Sequence, residues 1–490
     1  MSHVPDARPP FGDMPPEEFR RFAHEAADWI TEYLATLEHR PVFPDMRPGD
    51  LEGALPGHAP EHGEPMERVL EDFRELVVPA LTHWNHPAFF GYYSITASGP
   101  GILGELLAAA LNVNAMVWRS APAATELEDV TMDWLRILLG LPDGFEGVIN
   151  DTASSSSLYA LAAAREVAYP EAHASGLFGS APGRIYASDQ AHSSIEKAVL
   201  TLGLGQDGYR AVASDAEFRM DVDALRQAVE EDMAAGVKPV AIVATAGTTS
   251  SASIDPTTAI ADVAEEFGVW LHVDAAYGGP ASIVPECRPL LAGWERADSI
   301  VVNPHKWLFT PIDCSALYCR RPETLVRAFS IVPEYLTSRE QSEARSLMDY
   351  GVSLGRRFRA LKLWFVLRYF GREGIVERIR EHMRLARVLE ASVRASESWV
   401  VVAPVHLGLV TLRYAPSGIG VEDLDAMNLR IMERVNQSGG AFLTHTALDG
   451  RTVLRVAIGN LKTREEHVER VWRLLEEAAR AEHPRVADFE

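Results

Sequence analysis

Apolar residues recur along this chain with two alternating periods, and that alternation predicts its architecture. Residues 17–37 place Phe19, Phe22, Ala26, Trp29, Ile30, Tyr33 and Leu37 near helical spacing, which predicts an amphipathic helix. A Pro- and Gly-rich extended stretch at 41–65 follows, then a second helix through Leu81. This leading arm carries little core of its own and is expected to pack on another domain or subunit. From about residue 102 to 320 short apolar runs alternate with helical stretches. The runs at 147–150, 184–188, 209–214, 240–246, the one closing on Asp274 and Ser299-Ile300-Val301-Val302 read as strands. Helices are expected at 125–139, 153–169, 193–202, 222–235 and 256–267. Such alternation predicts an α/β domain with a largely parallel sheet flanked by helices. A helix is expected at 356–370, and beyond residue 376 long helices combine with strands at 407–412 and 453–458, a small α+β domain. The expected division is a helical and extended arm at 1–100, a large α/β domain at 101–375 and the small domain at 376–490. Residues 336–349 are polar and aperiodic, a candidate mobile loop.

Composition narrows the function classes. A chain of 490 residues exceeds the usual limit of a single core. The formal charge of 46 − 69 = −23 disfavours nucleic acid or an anionic membrane as partner. The most apolar helical window, near residues 102–117, is interrupted by Glu105, Asn112 and Asn114 and is too short to span a bilayer. Three cysteines, Cys287, Cys314 and Cys319, make no disulfide framework and fit a reducing cytoplasm, and no basic, apolar leader is visible.

Candidate chemistry collects at predicted strand ends. Asn303-Pro304-His305-Lys306-Trp307 follows the Ser299 strand, so Lys306 is expected over the crevice where open α/β sheets bind ligands. A lysine there loses hydration, which favours the neutral amine that attacks a carbonyl. His272-Val273-Asp274-Ala275-Ala276-Tyr277 closes another apolar strand with an acid. A strand-end lysine and a strand-end aspartate suit pyridoxal phosphate, the first as Schiff-base former and the second as partner of the pyridinium nitrogen. Asn150-Asp151-Thr152-Ala153-Ser154-Ser155-Ser156-Ser157 runs from strand into helix and reads as a phosphate cradle or as a capped Ser-rich turn. His192, in Asp189-Gln190-Ala191-His192-Ser193-Ser194, is either a stacking partner for a planar cofactor or a polar turn residue. Thr248 and Thr249 follow the 240–246 strand, with turn chemistry as the alternative.

Two motifs are set aside. Gly203-Leu204-Gly205-Gln206-Asp207-Gly208 matches G-x-G-x-x-G, but a helix precedes it and a strand follows, the reverse of a dinucleotide fingerprint. Gly203 reads instead as a helix C-cap. His83-x-x-His86 lacks further ligands, so no metal is expected. The aromatics beside it, Trp84, Phe89, Phe90, Tyr92 and Tyr93, are either core or a wall for an aromatic ligand.

From about residue 19 to 475 the chain resembles the group II pyridoxal-phosphate decarboxylases, and within them the aromatic-L-amino-acid decarboxylases. The resemblance is carried by Pro122-Ala123-Ala124-Thr125-Glu126-Leu127-Glu128, by the Asp189, Trp270–Tyr277 and Asn303 motifs, and by Leu354-Gly355-Arg356-Arg357-Phe358-Arg359. It implies a fold-type-I enzyme that is a homodimer with active sites at the subunit interface and a small molecule, an amino acid, as substrate. By position it implies Lys306 as covalent anchor, Asp274 on the pyridine nitrogen and His192 on the ring face. It assigns Ala153, Ser154, Asn303 and His305 to the phosphate, and Thr249 to the neighbourhood of the ring. Tyr335, in Val332-Pro333-Glu334-Tyr335-Leu336, matches the family's catalytic-loop tyrosine, a general acid for Cα. Where phenylalanine replaces it, oxidative deamination to the aldehyde takes over.

The chain departs from the pattern in places. Asp151 stands where the family has glycine, and Ser155 where it has an acid. The substrate-contacting threonine near Ile95-Thr96 is offset by one position, and Asn114 and Met116 replace bulkier apolar residues. Substrate contacts are expected from Trp84, Tyr92, Ile95, Thr96, Asn114, Met116 and Gly355, the last matching the small residue of indole-accepting relatives. The expected reaction is decarboxylation of an aromatic L-amino acid to the amine. An aromatic aldehyde synthase, a decarboxylase of a non-aromatic amino acid, an aminotransferase or desulfurase, and a non-catalytic scaffold are the alternatives.

Overall fold

The apolar run at 240–246 forms the strand Lys238–Thr245, whose residues from Val240 onward are all buried. Ala241 and Val243 pack with the helix Ala153–Ala168, while Ile242 and Ala244 enter the core on the opposite face. A strand dry on both faces reads as a continuous apolar run and needs helices on both sides. The computed structural model, which describes residues 12–331 and 344–483, contains a sheet of seven strands. They are β1 (Glu146–Asn150), β2 (Gly183–Ser188), β3 (Tyr209–Val212), β4 (Lys238–Thr245), β5 (Trp270–Asp274), β6 (Ser299–Val302) and β7 (Ser315–Cys319), in the order β1-β7-β6-β5-β4-β2-β3. From β3 through β6 every neighbouring pair is parallel, as the alternation predicts.

Strand β7 was not expected. It runs antiparallel to both β6 and β1, because the chain returns from β6 without a crossover helix of the kind a parallel connection needs. The helix expected at 125–139 begins at Pro122, whose missing N–H costs nothing in the first turn. The helix expected at 356–370 instead runs Ala360–Arg394 across a kink at Gly371, where φ is 61°. Residues 356 and 357 are held out of it by Asn114, whose side-chain Oδ1 accepts the Arg356 N–H at 2.9 Å and whose backbone bridges Arg357. Gly203, at φ 77°, follows the helix Ser194–Thr201 and precedes β3, so the G-x-G-x-x-G stretch is a helix-to-strand connection. Of the polar stretch 336–349, the described end is packed: Leu347 and Met348 are buried.

A second sheet, antiparallel, holds β8 (Trp399–Val401), β9 (Leu409–Tyr414), β10 (Thr444–Leu448) and β11 (Arg451–Ala457) in the order β10-β11-β9-β8. The helices Val421–Gln437 and Glu465–Glu482 pack on it around Met427, Ile431, Val468 and Leu475. β10 escaped notice because Thr444, His445 and Thr446 are polar, Ala447 is exposed, and Leu448 is its one buried residue. The Asp449-Gly450 turn joining it to β11, with both φ values positive, is the local hairpin signal. The leading helix Pro16–Thr36 buries only Phe22 among its residues and docks through Tyr33, whose hydroxyl lies 2.9 Å from His83 Nδ1. His86 Nδ1 accepts the Ala88 N–H, so neighbouring protein groups engage both histidines of His83-x-x-His86. No helix among the described residues is long and apolar enough to cross a membrane.

Candidate active site

Parallel strands deliver their carboxyl ends to one edge of the sheet, and the expected residues stand along it. Asp274 closes β5 in register with Thr245 of β4 and Val301 of β6. Lys306 lies just beyond β6 in the short helix Pro304–Trp307, with Asn303 before it. His192 follows β2, Thr249 follows β4, and Ala153 and Ser154 open the helix after β1. Ala153, Ser154, His192, Thr249, Asp274, Asn303, His305 and Lys306 line a single cavity of about 190 Å³.

The cavity sets the protonation of its own groups. Burial pushes the Lys306 ammonium below its ordinary pKa; the Asp274 carboxylate opposes this and the Arg455 guanidinium reinforces it. The balance is thereby shifted toward the amine relative to an exposed lysine. Burial and the Lys306 charge push His305 down to about 4, so its ring is neutral. Its Nδ1 accepts the Cys314 N–H at 2.9 Å, which leaves the proton on Nε2 as a donor. His192 is also lowered by burial, and its Nδ1 accepts the Ser194 N–H at 3.1 Å. A neutral imidazole can lie against a flat ring without bringing a charge into the site.

The four serines after Ala153 divide their work. Ser154 faces the cavity. Ser155 bonds Asp151 and, with Thr152, caps the helix. Ser156 Oγ meets Ser315 of β7 at 2.9 Å, and Ser157 Oγ meets His272 Nε2 at 3.1 Å. His272 Nδ1 in turn reaches Ser299 Oγ at 2.9 Å, so the helix start is tied to β5, β6 and β7. Asp151 accepts the Thr152 N–H at 2.8 Å and lines a separate small cavity with Gly355, Arg356 and Arg359. Its carboxylate is therefore turned away from the Lys306 cavity.

The expected substrate residues are not brought to that cavity. Trp84 and Tyr92 stack on each other at 5.4 Å, partly exposed, against Phe89. Thr96 is buried with its hydroxyl on the Gly459 carbonyl, and Ile95 beside it is half-buried. Asn114, Met116 and Gly355 form another group, with Asn114 Nδ2 at 3.6 Å from Met116 Sδ. Tyr335 lies outside the described residues.

Of the aromatics read as core or ligand wall, Tyr93 reaches this cavity, and residues given no role from the sequence join it. Tyr93 and Tyr277 line the cavity and stack at 3.7 Å, and Trp307 continues the stack at 5.0 Å. Lys306 Nζ stands 5.4 Å and the Arg455 guanidinium 5.3 Å from the Tyr93 ring centroid. Arg455 comes from β11 of the second sheet, is buried, and keeps its Nε without a hydrogen-bond partner. A lone arginine inside Val453-Leu454-Arg455-Val456-Ala457 was the signal that could have found it.

These residues fit pyridoxal phosphate. The cavity pairs an amine with a carboxylate, opens onto a helix N-terminus at its hydroxylated end, and presents the buried Oδ1 of Asn303 and the hydroxyl of Thr245 without protein partners. The profile of the pyridoxal-dependent decarboxylase conserved domain matches residues 48–415. The chain is 39% identical over 477 residues to phenylacetaldehyde synthase of Arabidopsis thaliana, covering 95% of this chain and 96% of that one. It is 39% identical over 479 residues to tryptophan decarboxylase 1 of Oryza sativa subsp. japonica, covering 94% and 93%. The crystal structure of Oryza sativa TDC with PLP and tryptamine superposes with a TM-score of 0.93 at 38% identity, over 96% of this chain and 99% of that one. The chain belongs to the pyridoxal-dependent decarboxylase family, with the fold-type-I architecture, and is a pyridoxal-phosphate-dependent carboxy-lyase.

Proposed function

We propose that the protein decarboxylates an aromatic L-amino acid, of the tryptophan, tyrosine, phenylalanine or dopa class, to the amine and CO2. The observation that carries this is the convergence of Lys306, Asp274, His192 and the Ala153–Ser154 helix start on one cavity. Bound pyridoxal phosphate supplies an electron sink for the pair released when the Cα–carboxylate bond breaks. Lys306 binds its aldehyde through Nζ, and the Asp274 carboxylate holds a proton on the pyridine nitrogen. The neutral ring of His192 covers one face. Ala153 and Ser154 offer N–H groups and a hydroxyl to the phosphate, with Asn303 and the Nε2–H of His305, while Thr249 stands near the ring. Arg455 is the cation beside Lys306, placed to draw a carboxylate toward Tyr93. The test is a panel of amino acids with amine, aldehyde and CO2 detection. Release of CO2 from glutamate or aspartate and from no aromatic substrate would overturn the reading.

An aldehyde synthase is the second reading, favoured by the likeness to the Arabidopsis protein. Tyr335 supports the amine, since its phenol can deliver the proton to Cα. Replacing it, Tyr335→Phe, is expected to shift product from amine toward aldehyde, with ammonia and peroxide appearing. A change confined to KM would count against that role.

Gly355 supports an indole-sized substrate. A Cβ there would meet nothing nearer than Asn114 Nδ2 at 3.8 Å, an ordinary contact, so Gly355→Ser should fold normally. It is expected to lower kcat/KM for tryptophan about tenfold relative to phenylalanine, the discrimination one or two added atoms produce where a substrate side chain packs. Equal losses for both substrates would remove Gly355 from the specificity pocket.

A homodimer is supported by Leu103, Leu106, Leu107 and Leu111, each 47–61% exposed on one helix. It is supported too by the separation of Trp84, Asn114, Met116 and Gly355 from the Lys306 cavity, to which a second copy could bring them. The three free, buried cysteines agree with a cytoplasmic setting.

A further inference from the structure

Glu128 and Arg356 belong to two of the motifs that carry the family likeness, yet neither lines the Lys306 cavity. They form a buried ion pair, 1% and 8% exposed, with Arg356 Nη2 at 2.9 Å from Glu128 Oε1. What they grip is the outer edge of β1. Among the described residues this strand pairs only with β7, so its other edge needs partners for its peptide groups. Glu128 Oε1 accepts the Ile149 N–H at 2.8 Å, and Arg356 Nη2 donates to the Ile149 carbonyl at 2.6 Å. The pair thus takes the place of a neighbouring strand at one residue.

That residue immediately precedes the turn Asn150-Asp151-Thr152 and the helix start at Ala153 and Ser154. On its far side Arg356 is itself fixed: its N–H donates to Asn114 Oδ1 at 2.9 Å and its carbonyl accepts the Ala115 N–H at 2.8 Å. An ion pair in a dry site costs about as much in lost hydration as it recovers in attraction, so stability alone is a weak reason to keep one. Two apolar side chains could fill the same volume, but could serve neither the N–H nor the carbonyl of Ile149.

We propose that Glu128 and Arg356 are positioning residues for the phosphate-binding turn. By holding both peptide groups of Ile149 they set where the N–H groups and hydroxyl of Ala153 and Ser154 stand, and through them the affinity for the cofactor's phosphate. The inference rests on the reading of Ala153 and Ser154 as the phosphate cradle.

The test uses full-length apoenzyme titrated with pyridoxal phosphate and with pyridoxal, which carries the same aldehyde and ring but no phosphate. Visible absorbance of the Lys306 adduct reports binding, and thermal melting reports folding. Ser154→Ala comes first. It should weaken pyridoxal phosphate and spare pyridoxal; if it weakens both equally, the cradle reading fails. Arg356→Met and Glu128→Gln should each weaken pyridoxal phosphate about tenfold and leave pyridoxal within about twofold, the scale expected when a preorganised contact is displaced. Where Arg356→Met does not fold, Arg356→Lys carries the test, because it keeps the buried charge and loses the fork that reaches both Glu128 and Ile149. With Ser154→Ala selective, equal loss of both ligands in the pair's variants, or loss of neither, overturns the proposal.

Discussion

Lys306→Ala is expected to abolish multiple turnover, lowering CO2 release from an aromatic L-amino acid by on the order of 10⁴-fold or more. The amine is the one cavity group that can form a Schiff base with an aldehyde and release it again, and burial lowers its pKa below the usual value, which makes the reactive neutral form easier to reach. Removing it should spare the fold. Lys306 projects into a cavity from a short turn beyond β6, and its Nζ rests 5.4 Å from an aromatic ring rather than in a tight ion pair. The variant should therefore melt close to the parent while losing the visible absorbance of bound cofactor. Retained multiple turnover in the alanine variant would sink the assignment of Lys306.

Asp274→Asn is the second large effect, a fall in kcat of roughly 10³-fold, as expected when a buried group that stabilises developing charge is neutralised. The substitution preserves shape, and an amide oxygen can still accept the Ala276 N–H now bonded to Asp274 Oδ1 at 3.1 Å. What it loses is the charge that keeps a proton on the pyridine nitrogen. A second consequence has a definite sign. The Asp274 carboxylate raises the Lys306 pKa against the lowering by burial, so its removal lets that pKa fall further. The neutral amine captures the aldehyde, so the rising limb of cofactor capture against pH should move to lower pH. A limb that stayed in place or moved to higher pH would show that Asp274 does not act on Lys306 through its charge.

Much of this site was legible because of how parallel sheets are built. Strands dry on both faces are continuous apolar runs, as in β4 and β6, and are easily told from the helices between them. Once the runs are placed, the residues following them must meet at one edge, which grouped Lys306 with Asp274 and put the stretches holding His192, Thr249 and Ser154 beside them; the family resemblance then singled out those three. β7 was hidden because nothing local distinguishes a returning strand from one reached by a crossover. β10 was hidden because Leu448 is its one buried residue, and a single buried position sets no apolar period.

The chain by itself determined the α/β order, the strand-end amine and acid, and the rejection of Gly203-x-Gly205-x-x-Gly208 as a nucleotide loop. These follow from local periodicity and from the direction every parallel strand shares. Only the tertiary structure decided that Asp151 turns from the Lys306 cavity, that Ser155, Ser156 and Ser157 each take a different partner, and that Arg455 of another sheet shares the Tyr93 ring with Lys306. It alone gave Glu128 and Arg356 a task, at opposite ends of a 228-residue separation. Contacts of that kind depend on how separate elements are set against one another, and burial then fixes which polar atoms must find each other; no spacing along the chain records either.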